Sequence, residues 1–287
     1  MLRTVLFTPA DDPKKCLKAM TCGADAVALD LEDAVAYSRK EAARECLREI
    51  LRRPPPVTLL VRINPAVSSY ILDDLKTVIG LPVDGLMLAK TESALDVLKV
   101  GWLLGLLEEK AGLPPGKIRL LPFIESPGGI LGAAEIASAP RVRALAFGGV
   151  DFSQDLGLRY PAESEGLLGA RSQLVLASRA AGIDPPLDTV FPVLKDTDRL
   201  IKEAETARRL GFQGKLVIHP AQVDPVNRLF TPGPEEIEYA KRVVAAFDRA
   251  EQSGTAVIQV DGKMVEYPIF RRSKELLALY EKLVPGN

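Results

Sequence analysis

The chain has 287 residues, of which 47% are hydrophobic and 26% charged, as in ordinary globular proteins. Lys and Arg (37) nearly balance Asp and Glu (38), which argues against nucleic acid or an anionic membrane as the main partner. No segment approaches the roughly 18 uninterrupted apolar residues of a membrane span. The three cysteines lack CxxC spacing and the first residues show no export signal, so we expect a cytoplasmic protein.

Eight short apolar runs recur along the chain, each followed by a segment of helical composition. The runs cover residues 4–8, 26–31, 58–63, 85–90, 119–124, 143–148, 187–191 and 215–219. Their hydrophobicity is continuous, which indicates strands covered on both faces, as in a parallel sheet wrapped by helices. The first run leads into TPADDP and not into a GxGxxG turn, which argues against a doubly wound sheet. The pattern predicts an α/β fold, a (β/α)8 TIM barrel.

A different pattern follows the eighth run. The stretch holds two further helix-like segments, separated by VIQVDGKMVEY, in which Asp-Gly lies between two alternating runs and predicts a β-hairpin. We therefore assign residues 1–225 to a barrel domain and residues 226–287 to a C-terminal helical and hairpin extension. This extension is predicted to be a lid or an arm that reaches a neighbouring subunit.

Polar groups collect where the predicted strands end. In a TIM barrel these ends meet at one mouth, which carries the active site. The groups are Asp30, Glu32, Asp33, Arg62, Asn64, Lys90, Glu92, Glu125, Asp151, Asp188 and His219. So many rim groups together favour a functional site, although single acids at strand ends also cap helices.

Glu125 and Asp151 follow neighbouring predicted strands, which lie about 5 Å apart in a sheet. Two carboxylates in one space do not both stay ionised unless a cation lies between them. With no Cys or His cluster nearby, an all-oxygen pair suits Mg²⁺, with Mn²⁺ as the alternative metal. The remaining coordination positions would be free for a chelating substrate.

Three further rim groups have two interpretations each. Arg62 lies inside the apolar run TLLVRI, where it needs an anion, either a rim acid or a bound oxyanion. His219 is the single histidine, and a structural hydrogen bond to the next loop is favoured over a role as a ligand. Lys90 is open between a structural and a substrate-binding role.

Several blocks of the sequence resemble one known family. LDLEDAV, VRIN, LMLAKTES, LLPFIESPGG, FGGVDFSQDLG and GKLVIHPAQV are similar to signature blocks of the citrate lyase β-subunit family, within the HpcH/HpaI aldolase and malyl-CoA lyase group. The blocks occur in order over nearly the whole chain. The resemblance implies a Mg²⁺-dependent barrel enzyme that makes or breaks a carbon–carbon bond between a 2-oxo acid and an acyl thioester.

The resemblance also implies roles for individual residues. Glu125 and Asp151 would bind the metal, and Arg62 would contact the substrate and steady an oxyanion. Beside these implied roles, we predict that Lys90 and Glu125, with Arg62, take part in substrate binding.

Further roles are implied for acids outside the metal pair. Asp30, Glu32 and Asp33 would lie near the metal-water shell and the thioester. In related CoA lyases an acid in a GxMIDxP stretch comes from a neighbouring subunit of a trimer. Here the stretch is GKMVEYP, so Glu266 takes that place, one methylene longer than Asp.

The expected function is a lyase for a malyl-CoA-like or citramalyl-CoA-like thioester, assembled as a homotrimer or higher homo-oligomer. One alternative is the citryl lyase subunit of a citrate lyase complex, whose thioester rides on an acyl carrier protein. A malate-synthase-like or thioesterase variant would use the same residues. A non-catalytic regulator would not need Arg62, Glu125 and Asp151 together.

Overall fold

The computed structural model describes residues 1–158 and 164–283 and contains a closed barrel of eight parallel strands in sequential order. The strands are β1 (Thr4–Pro9), β2 (Ala26–Asp30), β3 (Thr58–Ile63), β4 (Gly85–Leu88), β5 (Arg119–Ile124), β6 (Ala146–Phe147), β7 (Leu187–Asp188) and β8 (Gly214–Val217). β8 pairs with β1 in the register Thr4↔Lys215, which closes the barrel. The predicted (β/α)8 barrel is confirmed, and each of the eight predicted runs overlaps a strand.

Helices follow the strands along the chain. They are α1 (Pro13–Ala19), α2 (Lys40–Ile50), α3 (Ile71–Val78), α4 (Ala94–Lys110), α5 (Pro127–Leu131), α6 (Ala133–Ser138), α7 (Gly149–Asp155), α8 (Leu168–Ala180), α9 (Thr197–Leu210), α10 (Val223–Phe230), α11 (Pro234–Gln252) and α12 (Tyr267–Leu283). Three 3₁₀ turns cover Tyr37–Arg39, Ser164–Leu167 and Pro220–Gln222. Within the described parts of the chain, no helix is both long enough and apolar enough to span a membrane.

Alternate residues of the strands point into the barrel and fill it. The buried cluster there comprises Val5, Ala26, Ala28, Leu60, Met87, Leu121, Phe123, Ala144, Ala146, Leu187 and Leu216. Because side chains alternate along a strand, the next inward position after Ala28 is Asp30, and the next after Leu60 is Arg62. By the same alternation Glu125 continues the row of Phe123. The apolar interior therefore ends at a layer of charged side chains at the C-terminal ends of the strands.

The chain divides into two compact units, Met1–Arg228 and Leu229–Asn287. In the second unit, α11, α12 and the antiparallel pair β9 (Ile258–Val260) and β10 (Lys263–Val265) enclose a small core. Phe247 and Phe270 stack in this core with their ring centroids 4.5 Å apart. The predicted hairpin is confirmed: Asp261 (φ 49°) and Gly262 (φ 75°) form its turn in the left-handed region that Asp-Gly tolerates.

Asp188 does not line the barrel mouth, so its placement among the rim groups was wrong. It follows the inward-facing Leu187 and therefore points outward, where Arg171 Nε lies 2.7 Å and Lys215 Nζ 2.8 Å from its carboxylate. Glu203 accepts from the same Arg and Lys. Burial opposes ionisation of Asp188, but Lys215 and Arg171 outweigh it and hold the pKa of that carboxyl below its ordinary value. The group is a structural ion network beneath the helices.

Replacing Asp188 with Asn is expected to lower the free energy of unfolding by about 3–5 kcal/mol, because a buried pair loses one partner. Denaturant unfolding monitored by circular dichroism measures this. Asp184→Asn is the matched control, since Asp184 and Arg143 pair 3.1 Å apart with both side chains nearly half exposed. For Asp184→Asn we expect the free energy of unfolding to fall by less than about 1 kcal/mol. Equal losses in the two variants would contradict the structural role of the network.

Candidate active site

Arg62 is the central cation of the barrel mouth. Its Nε and Nη2 atoms donate to the two carboxylate oxygens of Asp30, at 2.8 and 2.6 Å, and Nη1 lies 3.2 Å from Glu32. The guanidinium carbon lies 5.0 Å from the ring centroid of Phe7 and 5.5 Å from that of Phe123. Burial alone would lower the pKa of Arg62, but Asp30 and Glu32 raise it above its ordinary value. The side chain is thus a fixed, permanently charged group.

Asp30 in turn is held by the main chain. Its oxygens accept hydrogen bonds from the amides of Glu32 (2.9 Å) and Ala34 (3.1 Å). Bonds of this kind fix the orientation of the carboxylate. The pair of Asp30 and Arg62 therefore has little freedom to rotate.

Lys90 connects three acids at the rim. Its Nζ atom donates to Glu32 and, at 2.9 Å, to Asp33, and its main-chain amide donates to Glu125 Oε1 at 2.7 Å. Its φ of 47° lies in the left-handed region, a strained conformation for a residue other than glycine. A residue in this conformation thus binds rim acids with both its main chain and its side chain.

Glu125 is 5% exposed, and its second oxygen, Oε2, accepts no hydrogen bond from the described residues. The carboxylate of Asp151, a residue of helix α7, makes no hydrogen bond or ion pair with any residue of 1–158 or 164–283. Burial first, and then the charge of Asp151, raise the pKa of Glu125 to about 8. A buried carboxylate of this kind lacks a cationic partner for its free oxygen.

Gly148 makes room for this carboxylate. A Cβ at position 148 would lie 2.7 Å from Glu125 Oε2 and 2.6 Å from Phe123 Cε1, closer than real Cβ atoms come. The glycine amide donates to the carbonyl of Ile124 at 2.8 Å, which keeps β5 and the start of α7 together. The glycine therefore brings Asp151, in the first turn of α7, close to Glu125.

Two cavities open at this mouth. The inner one, about 230 Å³, is lined by Phe7, Asp30, Asp33, Ala34, Arg62, Phe123, Glu125, Gly148, Val150, Asp151, Thr189, Val190 and Ile218. The outer one, about 590 Å³, is lined by Asp33, Lys90, Glu92, Glu125, Ser126, Asp151, Gln154 and Asp155. Three acids, Asp33, Glu125 and Asp151, border both. A ligand that spans the cavities would pass these three carboxylates.

A second buried layer supports these rim groups, and most of its residues were not predicted from the sequence. Lys40 Nζ donates to the carbonyls of Leu31 (2.6 Å) and Glu32 (2.8 Å) and to Asn64 Oδ1 (3.0 Å). Asn64, predicted at the rim, donates to Asp74 at 2.6 Å within this layer. These bonds fix the loop that carries Glu32 and Asp33.

The remaining predicted groups lie elsewhere. His219 is exposed, and its Nδ1 accepts from the amide of Ala221 at 3.1 Å, which is the hydrogen bond to the next loop that the structural interpretation predicts. Glu266 belongs to the second unit, where its carbonyl accepts from Phe270 at the start of α12. Its carboxylate has no hydrogen-bond or ion-pair partner among the residues described.

The oxygen atoms present suit a magnesium ion. Within the described residues, no three His, Cys, Asp or Glu side chains form a metal cluster, so the candidate ligands are the two carboxylates of Glu125 and Asp151. Mg²⁺ commonly takes one or two carboxylates and fills its other positions with water and substrate oxygens. The free Oε2 of Glu125, the unpaired Asp151 and the space left by Gly148 fit that coordination.

Comparison with known proteins gives the family. A sequence profile of the HpcH/HpaI aldolase/citrate lyase family matches residues 3–220. The chain belongs to this family. A second profile, described as a C–C bond lyase of the TIM-barrel fold, matches residues 177–275.

Similar proteins extend the match to nearly the full length. The citrate lyase subunit beta of Haemophilus influenzae is 36% identical over 278 residues, 96% of this chain and 95% of that protein. A (3S)-malyl-CoA thioesterase of Cereibacter sphaeroides is 36% identical over 283 residues, covering 98% and 95%. As a member of the HpcH/HpaI aldolase/citrate lyase family, the chain is an enzyme, a carbon–carbon lyase.

Solved structures share the fold. CitE of Mycobacterium tuberculosis, in complex with magnesium, acetoacetate and coenzyme A, superposes with a TM-score of 0.79 at 30% identity, over 97% of each chain. RipC of Yersinia pestis superposes with a TM-score of 0.69 at 33% identity, over 83% of this chain and 98% of that one.

Proposed function

We propose that this family member is a Mg²⁺-dependent lyase that cleaves, or forms, a 3-hydroxyacyl-CoA thioester such as malyl-CoA or citramalyl-CoA. The products are a 2-oxo acid and an acyl-CoA. The observation that carries the proposal is the buried Glu125 carboxylate, which has a free oxygen beside the unpaired Asp151 in a cavity also lined by Arg62. Mn²⁺, which prefers the same oxygen ligands, is the alternative metal.

Glu125 and Asp151 would hold the metal. When bound, Mg²⁺ supplies a Lewis acid that polarises the oxygen on the carbon being cleaved and orients the neighbouring carboxylate. The main-chain amide of Lys90 keeps Glu125 Oε1 in place, which leaves Oε2 for the ion. In this proposal Lys90 acts on substrate binding through the acids that it holds.

The other rim groups would move the proton and stabilise charge. Asp33 borders both cavities and its side chain is 56% exposed, so it is placed to accept the proton of the substrate hydroxyl. As that O–H bond breaks, the carbonyl of the 2-oxo acid forms and the carbon–carbon bond cleaves. Its electron pair passes to the thioester enolate, whose oxygen Arg62 stabilises while Asp30 and Glu32 hold the guanidinium.

The relatives support this substrate class through their names, which include a (3S)-malyl-CoA thioesterase and a citrate lyase subunit beta. A citrate lyase beta subunit of M. tuberculosis, 33% identical with a TM-score of 0.68 over 80% of this chain and 96% of that one, is complexed with oxaloacetate and magnesium. Both partners that the proposal needs, a 2-oxo acid and Mg²⁺, thus occur in one related protein.

We assign protonation of the enolate to Glu266 of a neighbouring subunit in a homotrimer or higher homo-oligomer. The resemblance of GKMVEYP to the family's acid-bearing stretch supports this, as does the absence of partners for the Glu266 carboxylate within the described residues. Mixing Glu266→Ala with Glu125→Ala protein is expected to restore part of the activity that each lacks alone, since mixed oligomers contain intact sites. If the mixture is as inactive as each variant alone, the active site is not built from residues of two subunits. Light scattering measures the oligomeric state.

The decisive assay incubates the purified chain with Mg²⁺ and malyl-, citramalyl- or citryl-CoA and follows release of the 2-oxo acid. Cleavage of at least one thioester that stops on adding EDTA is expected. Activity that survives EDTA, or activity only on a thioester carried by an acyl carrier protein, would contradict the proposal.

Mg²⁺ affinity is expected to rise with pH. The pKa of Glu125 in the folded chain, about 8, lies above its ordinary value of 4.5, so proton binding stabilises the metal-free fold. That stabilisation is complete below the ordinary pKa and is lost as the pH rises through about 8. Mg²⁺ must displace this proton from Glu125. The affinity for Mg²⁺ should therefore increase about tenfold per pH unit up to about pH 8 and be constant above it. Calorimetric titrations between about pH 6 and pH 9 test this, and a flat profile would contradict it.

A further inference from the structure

Lys40 is a buried lysine whose ammonium forms no ion pair with a carboxylate of the described residues. It is the first residue of α2 and is 3% exposed. Its three N–H donors reach only neutral oxygens, the carbonyls of Leu31 and Glu32 and the side-chain oxygen of Asn64. Burying an ammonium without a charged partner is costly, so packing alone does not account for a lysine here.

The two carbonyls that Lys40 binds belong to the peptide units on either side of Glu32. Because a peptide unit is planar, a bond to its carbonyl oxygen also fixes the direction of its N–H group. These N–H groups are held as well, since the Glu32 amide donates to Asp30 at 2.9 Å and the Asp33 amide donates to the Glu32 carboxylate at 2.8 Å. Each unit is thus bound at both ends, and Lys40 contributes one bond to each.

Two tyrosine rings cover the ammonium. Nζ of Lys40 lies 5.7 Å from the ring centroid of Tyr37 and 5.8 Å from that of Tyr70, within the range of cation–π contacts. The two rings stack on each other, with their centroids 6.3 Å apart and an interplanar angle of 19°. Residues that follow β2 and β3 therefore hold the ammonium in one place and keep water from it.

We propose that Lys40 is a positioning residue of the active site, whose ammonium sets the placement of Asp33. The inference rests on the proposed function, in which Asp33 accepts the proton of the substrate hydroxyl. Lys40 lines neither cavity of the barrel mouth, so it acts only through the main chain of Leu31 and Glu32. The Asp33 side chain is 56% exposed and little constrained by packing, so its placement depends on the main chain that carries it.

Hydrogen exchange followed by mass spectrometry tests this placement without an assay of activity. The amides of residues 31–35 all donate hydrogen bonds, so they are expected to exchange slowly in the unaltered chain. Lys40→Met keeps the length of the side chain but removes the ammonium, and exchange in this segment should become at least about tenfold faster. The matched control is Lys215→Met, because Lys215 is fully buried and donates to Asp188 and Glu203, outside the mouth. In this control, exchange of residues 31–35 should stay within about threefold of that of the unaltered chain.

The kinetic test is a double-mutant cycle with Asp33→Asn. Lys40→Met should lower kcat about 10²-fold, as displacement of a catalytic group by about 1 Å does, while the Mg²⁺ affinity changes by less than about threefold. In the Asp33→Asn background, the same substitution should lower kcat by less than about fivefold, because no base is left to position. Lys215→Met should lose stability in denaturant unfolding, as Lys40→Met does, but keep its kcat within about threefold.

Equal falls of kcat in the two backgrounds overturn the inference, as does unchanged exchange of residues 31–35 in Lys40→Met. A loss of kcat in Asp33→Asn with none in Lys40→Met also overturns the inference and leaves the proposed function intact. If Asp33→Asn keeps its kcat, the proposed role of Asp33 is wrong and the inference fails with it. If no thioester is cleaved, the proposed function fails, and hydrogen exchange still decides whether Lys40 places the segment.

Lys40→Gln takes the place of Lys40→Met in both measurements if the methionine variant does not fold. Glutamine keeps two N–H donors but loses the charge and one methylene of reach. We then expect exchange of residues 31–35 to rise, and kcat to fall, by at least about fivefold, with the fall of kcat again absent in the Asp33→Asn background. Unchanged exchange or unchanged kcat in Lys40→Gln overturns the inference.

Discussion

Glu125→Gln is expected to lower kcat by roughly 10³-fold or more and to weaken Mg²⁺ binding about 100-fold, without unfolding the chain. Gln keeps the size of the side chain and still accepts the hydrogen bond from the Lys90 amide. It removes only the charge, and that charge has no cationic partner for its second oxygen among the described residues. Because burial already raises the pKa of Glu125 to about 8, a neutral side chain should leave the metal-free fold as stable or more stable.

The matched control for this variant is Glu92→Gln. Glu92 is exposed and lines the outer cavity but not the inner one. We expect kcat and the Mg²⁺ affinity of Glu92→Gln to stay within about threefold of those of the unaltered chain, because solvent screens the charge of an exposed carboxylate. Thermal unfolding of both variants with and without Mg²⁺ separates metal binding from stability. If Glu125→Gln keeps the stabilisation by Mg²⁺, Glu125 is not a ligand.

Much of the barrel could be predicted because each strand is an uninterrupted apolar run that ends at a charged or turn-forming residue. The two shortest strands, β6 and β7, are shorter than the predicted runs 143–148 and 187–191. Gly148 and Gly149 end β6 by starting α7, and Gly149 is held there by a 2.8 Å bond from its amide to Thr189 Oγ1. Such an end depends on Thr189, which follows another strand, β7, and is absent from the local composition.

The same continuity of apolar residues hides which side of a strand a polar residue occupies. With both faces buried, the alternation that would separate inward from outward positions is lost. Asp188 was therefore placed at the mouth, although it pairs with Lys215 on the outer side of the strands. For Asp30, Arg62 and Glu125 the assumption that they point inward agrees with the alternation seen in the structure. Their roles in catalysis and metal binding stay predictions.

What sequence could not supply is the network between the rim groups. The main-chain amide of Lys90 donates to Glu125, 35 positions later, while its ammonium donates to Asp33, 57 positions earlier. Lys40, at the start of α2, gave no signal because two of its three partners are main-chain carbonyl oxygens, which any sequence carries. Contacts of this kind arise only when the closed barrel brings loops from separate βα units together.

Arg62→Lys is expected to lower kcat about 10²- to 10³-fold while the Mg²⁺ affinity changes by less than about threefold. Lysine keeps the positive charge but has no planar fork, so it cannot donate to both oxygens of Asp30 and also reach Glu32. The lysine ammonium would then lie close to whichever carboxylate it pairs with, away from the position of the developing enolate oxygen. The lost hydrogen bonds should also lower the free energy of unfolding by about 1–3 kcal/mol.

Arg141→Lys provides a control that carries the same structural loss without the catalytic one. Arg141 donates to both oxygens of buried Glu108, at 2.9 and 2.7 Å, and its side chain is 12% exposed, as is that of Arg62. It lines neither cavity of the barrel mouth. Both variants should therefore lose similar stability in denaturant unfolding, and only Arg62→Lys should lose kcat. A similar fall of kcat in both variants would mean that Arg62 acts only by stabilising the fold. An unchanged kcat in Arg62→Lys would show that the planar guanidinium is not needed to stabilise the enolate oxygen.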